Sequence, residues 1–366
     1  MICAERGATL SVIALFGIFL SALIRPYLGP MLVEFGAHPF WVGVGFGLGA
    51  ALYMLIDGHT VRQFFFWLCA ATAPLLFFGG HVGIIAGLVF AFGSLSLLHM
   101  HYAAFIGAMS ASVGLWLAPD LHFLALASIA VAGAAVVVRF MSRDVSYAAP
   151  SVPSHPLQEN PGVWWAAGLV SASVVSFGFI ALHLVSLHSF PVWGVGLVYA
   201  AAGVVVWASM RVGGRMGVWA FVALPLVALL SVVVVLSSQL YVSLVGVFLW
   251  ASAVGLQYVT VFPASLRTAS GARLAASQVL GGLCGSVLLG SMWLYSQAAA
   301  VIFLALCAGI AVVIMVEVVT GSVRLAGVGP ADRKGVARAR FVDRIDYVKP
   351  EDEEGGVWPD TFRRRG

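Results

Sequence analysis

The sequence predicts an all-α polytopic membrane protein of twelve transmembrane helices, arranged as two six-helix halves. Three observations predict it. Of 366 residues, 61% are apolar and 9% charged, against roughly 25% charged in a soluble protein, so a water-facing surface cannot be built from this composition. The apolar residues fall in runs near the roughly 20 residues that a spanning helix needs. One polar gap, residues 139–162 (RFMSRDVSYAAPSVPSHPLQENPG), parts those runs into two blocks of similar length.

Run length sets the elements in order. The first block gives spans at 8–28, 40–57, 63–80, 82–100, 102–118 and 121–138. The second gives 163–186, 191–210, 216–236, 239–262, 273–295 and 297–319. The first span reads as retained, because a signal peptide has a shorter apolar core and a small-residue cleavage site. Helices rather than strands follow from the need to satisfy every backbone group inside lipid. A transmembrane barrel would need short alternating segments, and the sequence has none. The expected organisation is an N-terminal bundle (1–138), a cytoplasmic linker (139–162), a C-terminal bundle (163–319) and a charged cytoplasmic tail (320–366).

Arginine placement tests the count independently. With the N-terminus inside, the inner segments hold Arg6, Arg62, Arg139, Arg143, Arg211, Arg215, Arg267, Arg273 and the tail. The outer loops, 29–39 foremost, hold no Lys or Arg. This is the positive-inside pattern. It requires an even number of spans, and it places both termini on the cytoplasmic side of the inner membrane. The net charge of +4 is then a loop and tail property. It points to the lipid bilayer surface and not to nucleic acid. The tail carries Glu351–Asp352–Glu353–Glu354 and Arg363–Arg364–Arg365, a composition that reads as a solvated segment, with docking of a cytoplasmic partner left open.

A repeat follows from the loops. Asp57–Gly–His–Thr–Val–Arg62 leaves the second span, and Met210–Arg211–Val–Gly213–Gly–Arg215 leaves the eighth. A shift of 153 residues carries Asp57 onto Met210, Arg62 onto Arg215 and Gly43 onto Gly196. Two six-helix halves related by an axis along the membrane normal are a known transporter plan.

With these residues in view, the chain resembles the major facilitator superfamily over about residues 8–319. The family has a D-R-x-G-x-R type loop after spans two and eight. Here the first copy keeps Asp57 and Arg62 but has Gly58 and Thr60, and Tyr53 replaces the preceding glycine. The second keeps Arg211, Gly213 and Arg215 but has Met210 for the acid. The stretch RTASGARLAASQVLGGLCGS is similar to the family's glycine-rich eleventh helix. The resemblance implies a secondary transporter that moves a small-molecule substrate by alternating access, with spans one, four, seven and ten lining a central cavity. The G-P step of the family's antiporters is absent from span five, YAAFIGAMSASVGLWLA.

Candidate residues come from the scarcity of polar groups in the spans. A carboxylate and a cation that meet only when one side is closed would bias the equilibrium between states. Asp57, Arg62, Arg211 and Arg215 could do this, or could be ordinary loop charges and surface anchors. Arg25 lies deep in the first apolar stretch. It could clamp a substrate carboxylate or phosphate, snorkel to the outer surface, or pair with Glu34. Tyr53, Ser94, Ser176, His183, Tyr199, Trp250, Gln257 and Gln278 supply polar tips on other spans, either to a cavity or to helix packing. His99 and His101 could move protons. No metal site or cofactor is expected from Cys3, Cys69, Cys284 and Cys307, which lack ligand spacing. No HExxH, GxSxG or GxxxxGK[ST] motif is present, so an enzyme is not expected. The alternative reading is a non-transporting scaffold or sensor on the same plan, acting through its tail.

Overall fold

The computed structural model describes residues 12–55, 67–93, 102–117, 122–141, 156–262, 268–293 and 295–327, and the regular elements among them are helical. The chain divides into two compact units, Met1–Val319 and Thr320–Gly366.

The first half begins with α1 (Val12–Ile24), a 3-10 turn (Arg25–Tyr27) and α2 (Leu28–Glu34). Next come α3 (Pro39–Leu55), α4 (Trp67–Phe78), α5 (Gly80–Gly93), α6 (Tyr102–Leu117) and α7 (His122–Met141). The second half holds α8 (Pro161–Ser173), α9 (Phe177–His188), α10 (Val192–Met216) and α11 (Ala220–Val235). It ends with α12 (Leu240–Thr260), α13 (Ala269–Met292) and α14 (Gln297–Gly327). Each predicted span thus contains described helix. Among the described residues, five helical stretches are long and apolar enough to cross a membrane, and shorter apolar helices occupy most of the other predicted spans. One of the five, Val192–Val235, holds two predicted spans that turn at Gly217, whose φ of 57° is the left-handed region glycine favours.

Packing repeats between the halves. In the first, α1 packs on α6 and α3 on α5; in the second, α8 packs on α13 and α10 on α12. These are equivalent pairs: spans one–five against seven–eleven, and two–four against eight–ten. Across the halves, α3 meets α13, α6 meets α10 and α2 meets α9. Gly43, on α3, sits against Ser286 of α13, and Gly196, on α10, sits against Ala108 and Ser112 of α6. The two glycines matched by the 153-residue shift therefore take corresponding places in the seam.

Exposed aromatic side chains mark both ends of the bundle. Trp41, Trp116, Tyr241 and Tyr295 lie beside the arginine-free loops, while Trp165, Trp207 and Trp219 lie toward the arginine end. Such belts form where amphipathic rings meet the lipid headgroups. On α10, Trp193 and Arg215 stand about 33 Å apart at about 1.5 Å per residue, close to the hydrocarbon thickness of a bilayer, about 30 Å.

Two expectations change. The loop predicted at 29–39 is helical through Glu34, because Pro30 falls in the first turn of α2, where its missing N–H costs nothing. The seventh span is not one helix: it opens at Val174–Ser176, between α8 and α9. Trp250 Nε1 donates to the Val175 carbonyl at 2.7 Å, which answers one backbone group freed by the break. At the other end of α12, Gln158 Nε2 donates to Thr260 O (2.8 Å) and Gln278 Nε2 to Val261 O (2.6 Å). The linker's last residues are thus tied to the second half.

Two stability predictions follow from this packing. Trp250→Phe keeps the ring and leaves the Val175 carbonyl unanswered, so it should cost about 1–3 kcal/mol. Gly281→Ala would drive a methyl onto the Gly168 carbonyl, within the second half, and should cost about 1–3 kcal/mol. Both are read as lowered thermal midpoints of the purified protein in detergent.

Candidate functional site

Arg25 opens the 3-10 turn between α1 and α2, and its carbonyl accepts from Leu28 N–H. The side chain is half-buried. The turn that Arg25 opens packs on α9 and α10 of the second half. Two residues on, Tyr27 is fully buried. Its hydroxyl hydrogen-bonds Ser112 Oγ of α6 at 3.1 Å and lies against Gly196 of α10.

Next to this lies an aromatic group from the second half. Phe177, the first residue of α9, meets Tyr199 edge-on at 4.7 Å between ring centroids and Trp250 at 5.6 Å. All three are buried. The indole is fixed by its bond to Val175, so the three rings keep one arrangement beside the break in the seventh span. Phe177 was not among the residues singled out from sequence; its position just after the break is what gives it weight.

Other candidates are engaged in holding helices together. Gln257 Nε2 donates to Ser171 Oγ at 3.0 Å and ties α12 to α8. Ser243 Oγ donates to Ser237 O at 2.9 Å, and His183 Nε2 lies 3.0 Å from the same carbonyl. His183 also meets the Trp293 ring edge-on, so it joins the ends of α9, α12 and α13. Gln278 caps α12, with its Oε1 left buried and unbonded. Ser176 Oγ and Ser21 Oγ are likewise buried without a hydrogen-bond partner. Small polar residues in membrane helices often serve packing in this way.

Arg211 lies over the Trp207 ring, 4.2 Å from its centroid, and Arg215 is exposed in the last turn of α10. Both positions suit anchors at a membrane surface. Asp57, Arg62 and Ser94, with His99 and His101, lie outside the described residues. Tyr53 is on α3, and its side chain is outside them too. No group of three or more His, Cys, Asp or Glu that could hold a metal occurs among the described residues.

No protein-family model matches the chain. It is 25% identical over 372 residues to uncharacterized proteins of Mycobacterium tuberculosis and Mycobacterium bovis, across 84% of this chain and 90% of theirs. Among solved structures it is similar to a bacterial homolog of the human lysosomal transporter Spinster in an inward-facing, occupied conformation. The TM-score is 0.50 at 12% identity, over 84% of this chain and 93% of that one. The same homolog in its unoccupied conformation gives 0.49 at 13% identity, over 84% and 94%. At such identity the likeness concerns fold alone. With the helix order and the repeated packing, it identifies the chain as an integral membrane protein with the major facilitator fold.

Proposed function

We propose that the chain is a secondary transporter of the cytoplasmic membrane that moves a small organic solute, preferentially an anion, by alternating access between its halves. It works without a cofactor or covalent chemistry, and both termini face the cytoplasm. The observation that carries this reading is the position of Arg25. Arg25 is half-buried and opens a 3-10 turn that packs on α9 and α10 of the other half, and α9 begins at the break in the seventh span. A cation in that environment is costly unless it meets an anion or polar groups. Broken helices in membranes occur where backbone is buried in protein or lines a cavity.

The solute would enter against Phe177, Tyr199 and Trp250, whose rings offer an apolar wall next to that charge. The unbonded oxygen of Ser176 faces the same break and gives a second polar contact. An acceptor or donor of this kind rewards a solute with matching hydrogen-bonding groups, because leaving it unpaired is unfavourable.

The test is uptake into proteoliposomes by a panel of radiolabelled organic anions, neutral solutes and cations. One or more anions should accumulate with the wild type. Arg25→Ala should lower kcat/KM for the transported anion about 10-fold or more, as expected for losing a charge-assisted bond of about 1.5–3 kcal/mol. Unchanged anion uptake in folded Arg25→Ala removes Arg25 from the site. A wild type that moves no solute, yet binds a cytoplasmic protein through residues 320–366, would replace this reading with that of a scaffold.

A further inference from the structure

A cation at the edge of an apolar layer is answered either by an acidic side chain or by something outside the protein. The arginine end of α10 carries two. Trp207, Arg211 and Arg215 stand four residues apart, so they share one face of the helix. That face continues a stripe of Ala201, Val204 and Ala208, all exposed. The Arg211 guanidinium lies over the Trp207 ring, 4.2 Å from its centroid, and the indole is 42% exposed. Arg215 is exposed one turn further on. The chain then turns through Gly217–Trp219, where Trp219 is exposed, and the space beside Gly214 and Gly217 is open. Among the described residues, the helices around this face offer the two charges no acid. Residues 192–235, from the start of α10 to the end of α11, contain no Asp or Glu. Nor do α6, α9 and α12, which pack on α10. In the repeat, the place of Asp57 in the first loop is taken by Met210 in the second.

We propose that Arg211 and Arg215, with Trp207, bind the phosphate of an anionic phospholipid in the leaflet at the arginine end. The proposal needs only the membrane fold and is independent of transport. A guanidinium presents planar donors that match phosphate oxygens two at a time. Contact with the Trp207 ring restrains the Arg211 side chain, so less freedom is lost when a phosphate docks. Arg215 follows one turn away, about 6 Å along the helix axis, within reach of the same headgroup. The apolar stripe decides the source of the phosphate. Val204 and Val212 are exposed on the same side of α10, where the acyl chains of a docked lipid would lie. A diacyl lipid meets both the charges and the stripe, whereas a free phosphate meets the charges alone. A zwitterionic headgroup would bring its own cation against two more, so a net negative headgroup is the better match.

The experiment is native mass spectrometry of the full chain, delipidated in non-ionic detergent and titrated with dioleoyl phosphatidylglycerol. The first bound lipid gives an apparent Kd. Dioleoyl phosphatidylcholine is titrated in parallel, and glycerol phosphate and inorganic phosphate are added as competitors. The wild type should bind phosphatidylglycerol at least about fivefold more tightly than phosphatidylcholine. Neither soluble phosphate should displace it at the lipid's own concentration. The pair Arg211→Gln and Arg215→Gln should weaken binding about 10- to 30-fold. Trp207→Leu, which frees the Arg211 side chain, should weaken it about two- to fivefold. The pair Arg211→Lys and Arg215→Lys keeps the charge and should stay within about threefold of the wild type. The pair Arg363→Gln and Arg364→Gln removes the same charge from the tail and should change nothing. A wild type that does not prefer phosphatidylglycerol overturns the site, as does a folded Arg211 and Arg215 glutamine pair that binds like the wild type. An equal loss in the tail pair overturns it in favour of diffuse electrostatics. Displacement by glycerol phosphate or inorganic phosphate overturns it in favour of a soluble anion. If the glutamine pair does not fold, the wild-type preference and Trp207→Leu decide.

Discussion

Every peptide group freed inside lipid has to be answered by protein, and in this chain that demand decides where the few polar side chains go. A helix opened at Val174–Ser176 leaves carbonyls exposed to an apolar layer, and Trp250 answers one of them. The end of α12 would leave its last carbonyls bare, and Gln158 and Gln278 answer those. His183 and Ser243 converge on the carbonyl of Ser237 in the same way. With these groups engaged, the described residues leave few buried oxygens unbonded, among them Ser21 Oγ, Ser176 Oγ and Gln278 Oε1. A site built from so little would be selective through one charge and one aromatic wall, not through a dense hydrogen-bond array.

The same constraint shapes the seam. Bulky side chains packed across it would hold the halves apart, and buried ion pairs would be costly to expose in each cycle. Glycine contacts with backbone on the facing helix are close, directional and cheap to separate in lipid. Among the described residues, they gather toward the arginine-free loops.

Much of the fold was legible in the sequence, because run length and loop charge are strong signals in a membrane chain. The 153-residue shift between loops two and eight also marked Gly43 and Gly196, which then prove to hold corresponding places between the halves. The break in the seventh span was not legible. The stretch VSASVVSFG carries no proline, and its serines suit a membrane helix as well as a cap. Helix α2 falls largely in the stretch predicted as an outer loop, and its Pro30 is tolerated in the first helical turn. Among the candidate residues, Arg25 is singled out by its depth in the first apolar run. Gln257 and Gln278 read as candidate solute ligands, because sequence cannot reveal neighbours such as the Ser171 hydroxyl and the Val261 carbonyl to which they donate. Phe177 gave no signal of its own; its role comes from the break before it and the two rings beside it.

On the alternating-access reading proposed above, the bundle is closed toward the arginine-free loops and approached by water from the arginine side. Thiol accessibility at Gln257→Cys, in a background lacking the native cysteines, measures this most directly. Gln257 is half-buried on α12, toward the arginine end. A membrane-impermeant maleimide should label it in inside-out vesicles and fail to label it in right-side-out vesicles. Labelling from the opposite face alone would contradict the account.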